Sequence, residues 1–158
     1  MILISHRGNI SGRKPELENS PGYILEVLRQ GYMVEVDVRW SEVGLFFGHE
    51  PGKFSYPVDE VQLMTFEPYA KDILFHCKNI EAFRKFQGSD WNFFFHDRED
   101  YALSSKEWII SHSKLGNSYY FDDDTKGTVL MLPEIHGLSK DAVKDCAGVC
   151  SDIISFYK

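Results

Sequence analysis

Short apolar runs, separated by polar and glycine-containing stretches, divide this chain into candidate strands and helices. Met1 to Ser5 is a first apolar strand, and Val34 to Trp40 is a second in which valines alternate with charged residues. Ser20 before Pro21 is typical of a helix N-cap with proline at the first helical position, and Gly31 marks the end of that helix. The pattern therefore predicts a strand, a helix and a strand, which is one βαβ unit.

The later elements continue this alternation, but the segments between them become shorter. Further strands are predicted at Asp72 to Lys78, Asn92 to Phe95, Trp108 to Ser111, Thr128 to Leu132 and Val149 to Ile154, and short helices around Val61 to Phe66, after Asn79 and after Ser139. A complete (β/α)₈ barrel usually takes about 250 residues. The 158 residues of this chain therefore predict an α/β fold, a reduced TIM-type (β/α) barrel with several outer helices shortened or missing. No linker or repeat divides the chain, so residues 1–158 are predicted to form one domain.

A hairpin is predicted directly after the second strand. Ser41 to Gly44 is turn-like and Leu45 to Gly48 is strand-like, so Asp37 lies opposite Gly48 if the turn centres on Glu42 and Val43. Side chains on a strand repeat every two residues, so Glu35 and Asp37 share one face. With one residue of slip, His49 returns beside these two carboxylates.

Composition limits the classes of partner. The hydrophobic share of 43% and the aromatic share of 15% predict a folded chain. Acidic residues outnumber basic ones by 24 to 17, which disfavours nucleic acid and anionic membranes as partners. No apolar run approaches the ~20 residues of a membrane span. A small anionic substrate would then need a local positive centre, and a bound cation would supply it.

The cysteine pattern bears on location. Cys77, Cys146 and Cys150 form no CxxC motif, and we expect no secretory leader. These features predict reduced thiols in a cytoplasmic protein. Cys146 and Cys150 stand four residues apart, a spacing that is compatible with a zinc-binding pair. No second cysteine pair completes such a site, so packing of these cysteines in the core is favoured.

The residue types near the start of the chain match one chemistry. His6 and His49 lie before and after the carboxylates of Glu35 and Asp37. Two imidazoles and two carboxylates are the groups of a metal-assisted phosphodiesterase, because one histidine acts as base, the other as acid, and the carboxylates hold a divalent cation. The structural alternatives are a strand-end histidine, a solvated loop histidine and a solvated strand face.

The same region resembles a known family. The motifs I-S-H-R-G-N, E-N-S-P, V-E-V-D-V-R and L-F-F-G-H-E resemble, in order and spacing, those of the glycerophosphodiester phosphodiesterases, which belong to the phosphatidylinositol-phospholipase-C-like barrels. The match is specific over residues 4–50 and weak over 51–158. The resemblance implies an acid–base pair of His6 and His49, ligation of Mg²⁺ or Ca²⁺ by Glu35 and Asp37, phosphate contacts by Arg7 and Lys78, and ordering of the first loop by Glu18 and Asn19.

The chain also departs from the family pattern. His76 stands where the family has a third acidic metal ligand, and Glu50 rather than aspartate follows His49. Imidazole suits Mn²⁺ or Zn²⁺ better than Mg²⁺ or Ca²⁺. Ligation by His76 rests on the resemblance alone, and a core histidine is the alternative.

Three functions remain open from the sequence: a phosphodiester hydrolase, a lyase and a binding module without turnover. The leading one is a metal-dependent phosphodiesterase that acts on a small diester of glycerophosphodiester type, by hydrolysis or, as a lyase, with release of a cyclic phosphate. The alternative is a non-catalytic phosphate- or metal-binding module on a decayed barrel. A barrel without outer helices leaves apolar strand faces uncovered, so a homodimer is possible.

Three further polar sites are weaker candidates. His96-Asp97 and Glu134 end predicted strands and would face the same mouth as His6, although ordinary surface polarity is favoured for them. The run Asp122 to Asp124 lacks the ligand spacing of a calcium loop and is predicted to be a solvated turn.

Overall fold

The alternating strands build one curled mixed sheet. A computed structural model describes residues 1–52, 54–112 and 127–158, so the run Asp122 to Asp124 lies outside the described residues. In these residues ten strands form a sheet that curls into a half-barrel. The strands are β1 (Ile2–His6), β2 (Met33–Ser41), β3 (Gly44–Phe47), β4 (Tyr56–Val58), β5 (Ile73–Cys77), β6 (Asn92–Phe95), β7 (Tyr101–Leu103), β8 (Ile109–Ser111), β9 (Thr128–Met131) and β10 (Gly148–Ser151).

Most neighbouring strands of the sheet are parallel. They follow the order β6-β5-β2-β1-β10-β9-β8. The strand β3 pairs antiparallel with the second half of β2, and β4 pairs antiparallel with β3. At the other end of the sheet β7 pairs antiparallel with β8. Because the parallel strands end on the same side, the residues at their carboxyl ends meet at one mouth of the half-barrel, the usual position of ligand sites in such sheets.

The predicted TIM-type barrel is wrong. The described residues contain three short α-helices, α1 (Pro21–Arg29), α2 (Glu60–Met64) and α3 (Ile80–Phe86), where a TIM barrel has a helix after each strand. Between β9 and β10 the chain forms the 3₁₀ turns Pro133–His136 and Asp141–Val143 instead of a helix. Between β6 and β8 it forms the antiparallel strand β7. These spacers hold no α-helix, so the architecture is a strand-rich half-barrel.

The two faces of the sheet carry different cores. Val34 and Val36 of β2 point outward and pack with Ile24 and Val27 of α1. On the other face an inner core joins six strands through the buried residues Ile4, Leu74, Phe94, Ile110, Val129, Met131 and Cys150. The period of two along each strand thus separates a helix-covered outer face from an inner face that surrounds the base of the mouth.

Several local predictions are confirmed. The β2–β3 hairpin pairs Ser41 with Gly44, and the Gly48 N–H donates to the Asp37 carbonyl at 2.9 Å. Helix α1 begins at Pro21 after Ser20, although the Ser20 side chain makes no capping hydrogen bond. Asn79 caps α3 by accepting a hydrogen bond from the Ala82 N–H.

The end of the chain differs from its prediction. The helix expected after Ser139 is only the 3₁₀ turn Asp141–Val143, and β10 ends at Ser151 rather than at Ile154. A further 3₁₀ turn, Ile154–Tyr157, follows. The strands β4 and β7, of three residues each, were not predicted.

Candidate active site

The register of neighbouring strands brings the predicted groups together. His6 of β1 is the pairing partner of Glu35 of β2, and Asp37 of β2 is the partner of His76 of β5. Parallel strands lie about 4.8 Å apart, so partners on one face place their side chains side by side. His6 follows the inner-core Ile4 by two positions, and His76 follows the inner-core Leu74 by the same spacing. A polar layer therefore lies directly above the apolar inner core.

Glu35, Asp37 and His76 form a buried cluster of possible metal ligands. The His76 Nδ1 lies 3.4 Å from Glu35 Oε1 and 3.3 Å from Asp37 Oδ1, and one ligand atom from each residue lies within 4.8 Å of the others. Both oxygens of Glu35 and the Oδ1 of Asp37 are buried without a hydrogen-bond partner. Burying carboxylate oxygens without hydrogen-bond partners costs free energy. A cation bound at these three atoms would offset that cost.

The spacing and chemistry of the three ligands fit a divalent cation. Two adjacent ligands of one ion, each about 2.2 Å from it, lie about 3 Å apart, which is close to the separations of His76 from the carboxylates. Two carboxylates suit Mg²⁺ or Ca²⁺, whereas the imidazole shifts the preference toward Mn²⁺. The donor set therefore accommodates the ions expected from the sequence.

The charges of these groups depend on one another. Burial alone would raise the pKa of Asp37, but His76, Arg7 and Lys78 hold that pKa far below its usual range. Burial alone would lower the pKa of His76, but the adjacent carboxylates of Asp37 and Glu35 raise it. The site thus favours an ionised Asp37 carboxylate beside positive charge.

Arg7 and Lys78 lie beside the carboxylates, at the positions expected of phosphate-binding cations. Arg7 has a left-handed backbone with φ of 55°, and its Nε lies 2.7 Å from Asp37 Oδ2, an ion pair without aligned hydrogen-bond geometry. Lys78 Nζ lies 3.9 Å from Asp37 Oδ1 and 3.5 Å from His76 Nε2. Both cations therefore border the cluster of possible metal ligands.

Asn19 fixes the orientation of Asp37. Its Oδ1 accepts a hydrogen bond from the Asp37 N–H at 2.9 Å, and its Nδ2 donates to Asp37 Oδ2 at 3.2 Å. The Asn19 amide therefore binds Oδ2 of Asp37, and the other carboxylate oxygen, Oδ1, faces His76. Glu18, the preceding residue, accepts hydrogen bonds from Arg7 and Asn9 and so ties the first loop together.

His6 is held by a residue that the sequence prediction missed. The His6 Nδ1 lies 2.7 Å from Asp152 Oδ1, which also accepts a hydrogen bond from Asn9. Its Nε2 points toward Glu35, with 3.9 Å to Oε2. Burial alone would lower the pKa of His6, but Asp152 and Glu35 raise it. The sequence carries part of the signal for Asp152, because this residue stands two positions after Cys150 within a predicted strand. The pairing of that strand with β1 comes from the structure.

The Asp152 loop is itself supported. The Asp152 N–H donates to Glu134 Oε1 at 2.8 Å, and the Glu134 Oε2 is buried without a hydrogen-bond partner. Glu134, which the sequence offered only as a weak candidate, therefore acts on the backbone that positions Asp152.

His49 lies at the rim rather than beside the carboxylates. Its side chain is 43% exposed and its Nδ1 lies 3.0 Å from Glu50 Oε1. It borders a cavity of about 280 Å³ together with Arg7, Arg13 and Asn19. Burial lowers the pKa of His49 despite the nearby charge of Asp37. The hairpin thus brings His49 to the cleft, but its imidazole contacts Glu50 instead of Glu35 or Asp37.

Comparisons with known proteins were negative: no family model, no curated protein and no solved structure matches the chain. The resemblance to glycerophosphodiester phosphodiesterases therefore stays a prediction from the motifs. In a separate search of the described residues, no helix was long and apolar enough to cross a membrane.

Proposed function

We propose that this protein is a metal-dependent phosphodiesterase that cleaves a small glycerophosphodiester-type phosphate diester. One observation carries the proposal: three carboxylate oxygens of Glu35 and Asp37 are buried without hydrogen-bond partners beside His76, and His6 lies next to them. A structural cluster of this kind would pair its oxygens internally. A divalent cation at these residues would polarise a phosphoryl oxygen and neutralise developing charge.

His6 is suited to act as the base. Its Nδ1 faces the Asp152 carboxylate at 2.7 Å, which favours the tautomer with the proton on Nδ1 and a lone pair on Nε2. The Nε2 would then remove the proton of the attacking hydroxyl, from water or from the substrate itself. Asp152 holds the ring and stabilises the imidazolium that forms.

The other residues would handle the phosphate and the leaving group. Arg7 and Lys78 border the carboxylates and would bind the non-bridging phosphate oxygens, since guanidinium and ammonium groups both donate to phosphate. His49, across the cavity that it shares with Arg7, would give its proton to the departing alkoxide as the bond from phosphorus to that oxygen breaks. The number of protons on the two histidines is then unchanged, because His6 gains one proton and His49 loses one.

Metal titration with two matched variants tests this proposal. Metal-stripped wild-type protein, Asp37→Asn and Asp152→Asn are titrated with Mg²⁺, Ca²⁺ and Mn²⁺ by calorimetry, and glycerophosphodiester turnover is followed with the preferred ion. We expect Asp37→Asn to lose ion binding and turnover together, and Asp152→Asn to bind the ion but turn over slowly. Wild-type protein that binds none of the ions and cleaves no diester would refute the proposal.

A second candidate function is a phosphate- or metal-binding module without turnover. The exposed position of His49, whose imidazole contacts Glu50, favours this alternative because the acid is not yet directed at the cluster. Ion binding that needs Asp37, in a protein that cleaves no diester, would establish the module.

We also propose that the protein acts in the cytoplasm. Cys77, Cys146 and Cys150 are free and buried, and burial raises the pKa of each thiol. Unpaired thiols of this kind are typical of reducing compartments.

A further inference from the structure

The polar layer above the inner core continues beyond the groups already assigned. Phe94 of β6 and Ile110 of β8 belong to the inner core, and the residues two positions later are His96 and His112. His76 follows the inner-core Leu74 by the same spacing. Since the period of a strand is two, His96 and His112 face the same interior as His76, at the carboxyl ends of two further parallel strands.

Ring contacts confirm this placement. The His76 and His96 rings stack with centroids 4.9 Å apart and planes 15° apart, and the His96 and His112 centroids are 4.2 Å apart. The His76 ring also stacks on Phe94 at 4.4 Å. Three imidazoles therefore form one continuous wall, which we call the histidine wall (His76, His96 and His112).

The nitrogens of this wall are not all accounted for. In the described residues both ring nitrogens of His96 and the Nδ1 of His112 are buried without a hydrogen-bond partner. A buried polar atom left unpaired costs about 1–3 kcal/mol, and a phenylalanine would fill the same volume without that cost. These nitrogens therefore lower the stability of the fold, as expected of groups that meet a ligand.

The candidate cation does not explain these nitrogens. Imidazole binds an ion through a lone pair in the plane of the ring, so an ion in the plane of the His76 ring lies outside the plane of a ring stacked on it. The planes of His76 and His96 are nearly parallel, so His96 does not share an ion with His76. The cluster of possible ligands at this place in the described residues is likewise Glu35, Asp37 and His76, without the other two histidines.

We propose that His96 and His112 bind hydroxyl groups of the substrate's alcohol and so select diesters of polyols over diesters of simple alkyl alcohols. A neutral imidazole offers one donor and one acceptor, which is the complement of a hydroxyl group, because a hydroxyl also donates and accepts. The wall adjoins Lys78, whose Nζ lies 3.5 Å from His76 Nε2, so an alcohol attached to a phosphate at Lys78 would extend along it. This inference rests on the proposed function.

Binding of two matched phosphate monoesters tests the inference without relying on turnover. Glycerol 1-phosphate and propyl phosphate differ by two hydroxyl groups, and each is titrated by calorimetry into the protein with the preferred divalent ion. The double variant His96→Phe/His112→Phe keeps the aromatic stack and removes the nitrogens. His136→Phe is the control, since His136 lies in the 3₁₀ turn Pro133–His136 and has no ring contact with the wall among the described residues.

We expect wild-type protein and the control to bind glycerol 1-phosphate about tenfold more tightly than propyl phosphate. The double variant should bind both within about twofold, with unchanged affinity for the ion. If the double variant does not fold, the two single variants are used, and each should lose part of the preference. Equal affinity of the wild type for the two monoesters, or a preference that survives in the variants, would overturn the inference. The nitrogens of His96 and His112 would then be assigned to hydrogen bonds with water.

These titrations, combined with the turnover assay described for the proposed function, separate this inference from that function. A preference for glycerol 1-phosphate that depends on His96 and His112, in a protein that cleaves no diester, supports the binding site while the catalytic proposal fails. Diester cleavage without any hydroxyl preference gives the opposite result.

Discussion

Replacing Asn19 tests how the structure holds the carboxylate of Asp37. Asn19→Gly removes the amide but keeps the left-handed backbone, which has φ of 62° at this residue and which glycine adopts without strain. The Asp37 N–H and Oδ2 each lose a hydrogen-bond partner, at 2.9 Å and 3.2 Å. Both groups belong to a fully buried residue.

The expected cost follows from these two hydrogen bonds. An unsatisfied buried N–H costs about 1–3 kcal/mol and a lost hydrogen bond to a charged group about 1.5–3 kcal/mol. Arg7 still neutralises Asp37 Oδ2 in the variant, so we expect a loss of about 3 kcal/mol in the free energy of unfolding. Asn19→Ala should lose about 1 kcal/mol more, because alanine also pays for the positive φ.

Urea denaturation of the three proteins, followed by circular dichroism, measures both differences. Since small domains unfold with only about 5–15 kcal/mol, a loss of this size is readily detected as a lower midpoint. A loss below about 1 kcal/mol for Asn19→Gly would refute the claim that the amide positions Asp37. Equal stability of the glycine and alanine variants would refute the role assigned to the left-handed backbone.

Three further predictions concern the base, the histidine wall and a tight turn. In steady-state kinetics Asp152→Asn should lower kcat about 10²- to 10⁴-fold while ion affinity changes less than twofold; an unchanged kcat would contradict the role of Asp152. Burial and nearby positive charge lower the pKa of His112 to about 3, so its stabilising effect is complete above pH 6.5 and is lost as the pH falls. Urea midpoints should show a loss of about 1 kcal/mol from pH 7 to pH 5 that is absent in His112→Phe; parallel pH profiles would contradict this. Gly48→Ala should destabilise more than Gly44→Ala in thermal melts, by about 1–3 kcal/mol, because both have positive φ but only a Cβ at Gly48 comes within 2.9 Å of the Phe54 carbonyl oxygen; equal melting temperatures would contradict the contact.

The site was easier to predict than the architecture. The alternation of β2 and the length of the turn at Ser41 to Gly44 are local properties, so the hairpin register and the shared face of Glu35 and Asp37 followed from the sequence. His76 and Lys78 also reached the cleft as expected, because a buried apolar strand carried them there. Asp152 was missed because its pairing with His6 joins the two ends of the chain and becomes visible only once β10 is known to lie beside β1.

The barrel prediction failed for a different reason. A short apolar run followed by a polar segment is compatible with a strand and a crossover helix, and the segment after Ser139 contains the right residue types for a helix. Whether a helix forms depends on tertiary packing and on the length left before the next strand. In the 139–147 segment the chain forms a 3₁₀ turn instead, although α3 shows that seven residues are enough for an α-helix, so packing rather than length decides here.

The alternation of the inner core and the polar layer makes the cleft sensitive to the number of residues in a strand. Deleting one residue of β5 before His76 would exchange the two faces of this strand, so its outward-facing side chains would point to the interior. The imidazole of His76 would then lie on the helix-covered side. The same deletion would put Leu74 out of the inner core, so folding would fail together with chemistry. Insertions and deletions should therefore be tolerated in the loops between strands but not within them. Under the proposed function, a single exchange of a polar-layer residue should abolish turnover and leave the half-barrel intact.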